Sequence, residues 1–182
     1  HLIATGKVCS WIIEEREKFI PDPPNNIDSD LKNLFRHHFN ERDRIESTIF
    51  GATESSQFEV PILRVSAENL NSRCSIEFAK MNNPSLIISY GCHKLKKIFL
   101  QSVAARFWNT HGGLSPDYRG VATHFWPSYF LEPQMTGMTL HETTEFIDGG
   151  EIIFQTSAPM IEGDTLHRLA ARNVEVYVNT LA

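Results

Sequence analysis

Short apolar runs rich in β-branched residues alternate along this chain with stretches whose apolar residues recur at helical spacing. The clearest run is residues 85–90, SLIISY, which stops at Gly91. A continuous apolar strand of that length is buried on both faces, as parallel strands are when helices cover the sheet. Further runs occupy residues 7–13 (KVCSWII), 60–65 (VPILRV, with Pro61 at its start), 105–109, 138–141 and 151–156. Between them the spacing predicts helices. Residues 28–50 carry Leu31, Leu34, Phe35, Phe39 and Ile45 behind an Asp-Ser-Asp N-cap, with an interruption expected near Asn40. Ser66 is placed to cap a second helix reaching about Met81, where Asn83 and Pro84 break it. Shorter helices are expected over 95–103 and 121–130, and a final one over 165–181. Strands alternating with helices imply an α/β fold: an open, mainly parallel sheet with flanking helices and residues 85–90 as a central strand.

A length of 182 residues suits one such domain, residues 1–182, and is short for two. With 41% hydrophobic and 21% charged residues, the composition excludes disordered and fibrous classes. The net charge is −5 and the 17 Lys and Arg are scattered, so no dedicated nucleic-acid surface is expected. No run approaches the roughly 18 apolar residues of a membrane helix, and no secretory leader is evident. Cys9, Cys74 and Cys92 form an odd set without CxxC spacing, which argues against a disulfide framework or zinc site and for a reducing, cytoplasmic setting. The opening HLIATG reads as the last turn of a helix ended at Gly6, so an element upstream is expected.

The chemistry is concentrated after the fourth run. Asn109 and His111 lie two apart at a strand end, so both side chains project from one edge. Asp148 precedes Gly149 and Gly150, whose lack of Cβ permits a sharp turn beside such a site. An amide donor, an imidazole and a carboxylate are the groups that amine acylation needs, because attack on a carbonyl builds charge on oxygen and leaves a surplus proton on nitrogen. Each preorganised donor of this kind contributes on the order of 2–4 kcal/mol to the transition state.

These residues sit within NTHGGLSPDYRG (109–120), TGMTLHETTEFIDGG (136–150) and EIIFQ (151–155). The order Asn-x-His, Pro-x-Tyr-Arg-Gly, Thr-Gly-x-Thr, Asp-x-Gly resembles the formyltransferase superfamily, which includes glycinamide ribonucleotide, methionyl-tRNA and sugar N-formyltransferases. The resemblance covers about residues 86–165. It implies a Rossmann-like fold, here lacking its first strand, that moves a formyl group from 10-formyltetrahydrofolate to an amine-bearing acceptor without a metal. Asn109, His111 and Asp148 match the family's catalytic Asn, His and Asp. The resemblance also implies that main chain from two loops holds the folate pterin. One contains Ser89, Tyr90, Gly91, Cys92, His93 and Leu95; the other contains His141, Glu142, Thr143, Thr144, Glu145, Phe146 and Ile147. Gly113 stands where the family's commoner pattern has Ser, so a hydroxyl contact there is expected to be lost or replaced by water.

Taken singly, Asn109 reads as a turn residue, His111 as a structural histidine and Asp148 as a turn former; the ordered motifs together reverse that reading. His124 and His141 match no compact metal-ligand spacing with His111. Tyr118 and Arg119 read as structural, and Lys94, Lys96 and Lys97 as a solvated helix face. The acceptor and the oligomeric state stay open. A formyltetrahydrofolate hydrolase, with water as acceptor, and an inactive folate-binding module are the alternatives.

Overall fold

The computed structural model describes residues 2, 5–15, 20–51 and 59–182. Its strands are β1 (Trp11–Glu14), β2 (Ile62–Val65), β3 (Leu86–Tyr90), β4 (Arg106–His111), β5 (Met138–Glu142) and β6 (Ile152–Thr156). Its helices are α1 (Ser29–Phe50), α2 (Arg73–Met81), α3 (Lys97–Ser102), α4 (Trp126–Tyr129) and α5 (Leu166–Leu181). This is the α/β fold with flanking helices that the alternation implied. Parallel pairing joins β1 to β2 and β3 to β4, while β5 and β6 extend the second sheet antiparallel, in the order β3-β4-β5-β6.

Within that four-stranded order β3 stands at one end, where a central place was expected. Its apolar run reflects two covered faces rather than two strand neighbours. Successive side chains of a strand alternate between faces. Accordingly Ile87 and Phe107 pack with Ile76 and Ala79 of α2, Phe99 of α3 and Val103, whereas Ile88 and Trp108 pack with Met138, Leu140 and α5 residues Val174, Tyr177 and Val178. Phe99, Met138, Leu140 and Tyr177 are almost fully buried, and each such side chain contributes roughly 1.5–3 kcal/mol of burial. The Tyr177 hydroxyl pairs with the Thr110 hydroxyl at 2.7 Å, and burial pushes its pKa up to about 12.

Several element boundaries differ from expectation. Strand β1 begins at Trp11, not Lys7, because its ladder opens where Trp11 N–H donates to the Pro61 carbonyl. Helix α1, capped by the Asp28 carboxylate at Leu31 N–H, runs through Asn40 without a break. Phe35 packs on Phe39 before that point and Arg44 bridges to Glu41 after it, and one Asn inside a helix is a small penalty. Ser66 opens a 3-10 turn, Ala67–Asn69, without a side-chain cap bond, and Ser72 caps α2. The Asn69 side chain donates to Ser66 Oγ and the Ser75 hydroxyl to the Asn69 carbonyl, the local competition through which Ser and Asn favour turns over helix interiors. Of residues 121–130 only the turn Trp126–Tyr129 is helical, since Ala122 takes φ +56°. The turn expected before Gly6 falls mostly outside the described residues, although Gly6 has φ +68°. Among the described residues no helix is long and apolar enough to cross a membrane.

Candidate active site

Strand register lays out one polar row. Ser89 of β3 pairs with Asn109 of β4, and Asn109 with His141 of β5, so three side chains line up across one face at the end of β4. Sheet ends of this kind are where open α/β folds place ligands. Ser89 Oγ–H donates to Asn109 Oδ1 at 2.7 Å. Asn109 Nδ2 lies 3.2 Å from His141 Nε2 and 3.4 Å from Asp148 Oδ1. His141 Nδ1 is 2.8 Å from the Glu142 carbonyl, which only accepts. The proton of His141 therefore sits on Nδ1, and Nε2 accepts from Asn109. With Ser89 fixing the amide oxygen and His141 the amide nitrogen, the Asn109 side chain has one orientation.

His111 is held in the same way. Its Nε2 donates to the Tyr118 carbonyl at 2.7 Å, leaving Nδ1 3.4 Å from Asp148 Oδ2. Asp148 adopts φ +46°, a left-handed conformation that Asp tolerates. Its Oδ2 accepts from Gly120 N–H at 2.8 Å, and its Oδ1 lies 3.6 Å from His141 Nε2. A Cβ on Gly150 would stand 1.7 Å from the Glu142 carbonyl oxygen, so only glycine lets the chain fold back beside Asp148. Asn109, His111 and Asp148 are thus brought together. The ring of His141 and the hydroxyl of Ser89 join them as side chains, where the sequence reading assigned both residues to main-chain contacts. Their signal was register, which a single strand pattern does not carry.

The motif departure at Gly113 has a packing explanation. A Cβ there would lie 2.5 Å from the Tyr118 carbonyl and 2.8 Å from both His111 Nε2 and Thr123 Cβ. No side chain fits, and the Gly113 carbonyl instead accepts from the Thr139 hydroxyl at 2.6 Å. The Thr139 hydroxyl of β5 thus ties the loop at Gly113 to the sheet.

The two loops expected to hold a pterin meet. Lys94 Nζ donates to the Glu145 carbonyl at 2.5 Å, and Lys97 lies 3.8 Å from the Glu145 carboxylate. Lys94, Lys96 and Lys97 are exposed, as a solvated face would be, and border a cavity of about 340 Å³ with Leu95, Leu100 and Glu145. Tyr90, Phe146 and Ile147 are exposed. Leu95 is buried, and Cys92 packs against the same core, so what Leu95 offers a ligand is main chain. His93 is committed elsewhere, its main-chain N–H and ring Nδ1 both binding the Glu14 carboxylate. Thr143 N–H donates to the Phe107 carbonyl, and Thr144 closes a turn onto Phe146. His124 is half-buried with Nε2 on the Gly137 carbonyl, and desolvation lowers its pKa. Among the described residues no cluster of His, Cys, Asp and Glu is arranged to hold a metal.

The family model described as formyl transferase matches residues 45–181. In sequence, the bifunctional polymyxin resistance protein ArnA of Wigglesworthia glossinidia brevipalpis is 31% identical over 121 residues, which is 66% of this chain and 18% of that protein. The chain therefore spans less than a fifth of that relative's length. In structure, the phosphoribosylglycinamide formyltransferase of Bacillus halodurans aligns with TM-score 0.62 and 17% identity over 96% of this chain and 78% of its own. The formyltransferase PseJ of Anoxybacillus kamchatkensis, solved with UDP-4,6-dideoxy-4-formamido-L-AltNAc and tetrahydrofolate, aligns with TM-score 0.55 and 22% identity over 95% and 71%. At such identities the structural likeness concerns the fold. A family match over three quarters of the sequence goes further: this chain belongs to the formyl transferase family.

Proposed function

We propose that residues 1–182 form one catalytic domain that transfers a formyl group from 10-formyltetrahydrofolate to an amine in the cytoplasm, with Asn109, His111 and Asp148 as its reactive centre. The observation that carries this reading is their mutual geometry. The amide nitrogen of Asn109 and Nδ1 of His111 both face the Asp148 carboxylate, at 3.4 Å each. A folate donor is supported by the tetrahydrofolate in the PseJ complex and by the two loops that Lys94 and Glu145 join.

In this mechanism the acceptor nitrogen attacks the formyl carbon and the carbonyl electrons move onto oxygen. Asn109 Nδ2–H turns its long contact with Asp148 toward that oxyanion, an exchange worth on the order of 2–4 kcal/mol in a preorganised site. Because Nε2 of His111 is occupied by Tyr118, the nitrogen that exchanges a proton is Nδ1, beside Asp148. Collapse of the adduct breaks the bond from carbon to folate N10. The acceptor loses one proton, N10 gains one, and His111 with Asp148 relays it.

The test is a turnover assay with 10-formyltetrahydrofolate and a panel of primary amines: an amino sugar nucleotide, glycinamide ribonucleotide and methionyl-tRNA. The expected result is one tetrahydrofolate released per formylated amine. Formate release without any acceptor would instead make the chain a hydrolase, and no consumption of donor by the full-length protein would make it a binding module.

A further inference from the structure

Four consecutive residues of the loop after β3 are each held by a group outside that loop. The Glu14 carboxylate, at the end of β1, accepts from His93 N–H at 2.9 Å and from His93 Nδ1–H at 2.5 Å. The Asn71 side chain donates from Nδ2 to the Lys94 carbonyl at 3.1 Å and accepts from Lys96 N–H on Oδ1 at 2.6 Å. Between these two bonds the Leu95 side chain is buried in the core that holds Ile76 and Phe99.

Both anchors are themselves fixed. Glu14 stands opposite Val65 in the β1–β2 ladder, and the next N–H, that of Glu15, donates to the Val65 carbonyl. The Glu14 side chain is 6% exposed, and a carboxylate withdrawn so far from water is costly unless it is hydrogen-bonded. Among the described residues its partners are the two His93 groups. Asn71 sits between Leu70, which is buried, and Ser72, which caps α2. A side-chain amide that closes on a carbonyl and an N–H two residues apart fixes the main chain between them. That chain is Leu95. Among the described residues Lys94 N–H and Leu95 N–H donate to no protein acceptor. Lys94, Leu95 and Lys96 also border the cavity of about 340 Å³ that Glu145 closes, a volume within the range of small-ligand sites. Main-chain N–H groups are strong donors that seek an acceptor, and a loop already held in place does not have to be ordered when a ligand supplies one.

We propose that Asn71 and Glu14 are positioning residues for the folate. Neither touches it; together they hold residues 93–96 so that the main-chain N–H groups of Lys94 and Leu95 are kept in place for the pterin. This assignment rests on the formyl-transfer reading and adds to it two residues that lie outside both pterin loops.

Titration calorimetry on the full-length protein with 5-formyltetrahydrofolate, an unreactive folate, tests it beside amide hydrogen exchange. In the unmodified protein the folate is expected to slow exchange over residues 91–96. Asn71→Ala and Glu14→Ala each remove two hydrogen bonds from the loop and are expected to weaken folate binding about tenfold or more, with faster exchange confined to residues 91–96. Glu14→Gln keeps an oxygen for His93 N–H and is expected to recover affinity to within about threefold of normal, which a general loss of packing would not allow. Asn71→Asp keeps the acceptor for Lys96 N–H without the donor to the Lys94 carbonyl, preserves side-chain volume in case the alanine variant fails to fold, and is expected to weaken binding in the same direction. Normal folate affinity in the folded Asn71 and Glu14 alanine variants, or faster exchange spread through the sheet, would overturn the positioning role alone. Absence of folate binding in the unmodified protein would overturn the formyl-transfer reading beneath it.

Discussion

The residues at the centre are held by partners that leave each a single role. Asp148 touches four groups, Gly120 N–H, Asn109, His111 and His141, within 3.6 Å. Replacing it with Asn keeps the shape and removes the charge. Asp148→Asn is expected to lower formyl transfer roughly a hundredfold or more, the scale for losing one preorganised electrostatic partner. Folate affinity is expected to change little, because a pterin held by main chain does not call on the Asp148 carboxylate; unchanged turnover with lost folate affinity would make Asp148 a binding residue. Gly113 makes a second claim at this scale. Gly113→Ala drives a methyl into the Tyr118 carbonyl and His111 Nε2, so urea denaturation is expected to show a loss of about 1–3 kcal/mol, the usual range for overpacking. A variant of full stability would mean that this loop yields more readily than its contacts indicate.

At the level of elements, the packing of α1 on α5 holds a pair of neutral histidines. His38 and His167 have ring centroids 4.5 Å apart, and His38 stands edge-on to Phe125. Burial first, then the charge of His38, lowers the His167 pKa from the ordinary 6.5 to about 4; burial and Arg42 lower that of His38 as well. The folded state thus favours the neutral rings. Their contribution is whole above pH 6.5 and is lost as the pH falls toward 4. Thermal melting is expected to fall over that interval, and His167→Gln to flatten the fall; an identical pH profile in the variant would place the acid sensitivity elsewhere. Nothing in the local sequence pointed to this pair, since His38 and His167 meet only through tertiary packing. The strands over 85–90 and 138–141 and the helix over 165–181 were legible because their apolar residues fall on the faces they bury. Helix starts were less so: Ser66 and Ser72 carry the same capping chemistry, and the choice between them depends on hydrogen bonds from Asn69 and Ser75 that spacing does not encode.

Across the whole molecule, helices α2 and α3 cover one face of the four-stranded sheet and α5 the other, leaving the polar row of Ser89, Asn109 and His141 on the face that α2 and α3 cover. Asn109, His111 and Asp148 were legible from ordered motifs, because each motif carries its own loop chemistry. The supporting roles of Ser89 and His141 were not, because they arise from cross-strand register. Formyl transfer by Asn109→Ala and His111→Ala, assayed beside binding of 5-formyltetrahydrofolate, separates chemistry from folding and cosubstrate binding. Each variant is expected to bind the folate with near-normal affinity and to transfer formyl at least about a hundredfold more slowly. Near-normal turnover in either folded variant would remove that residue from the reaction and contradict the assignment of this strand end as the reactive centre.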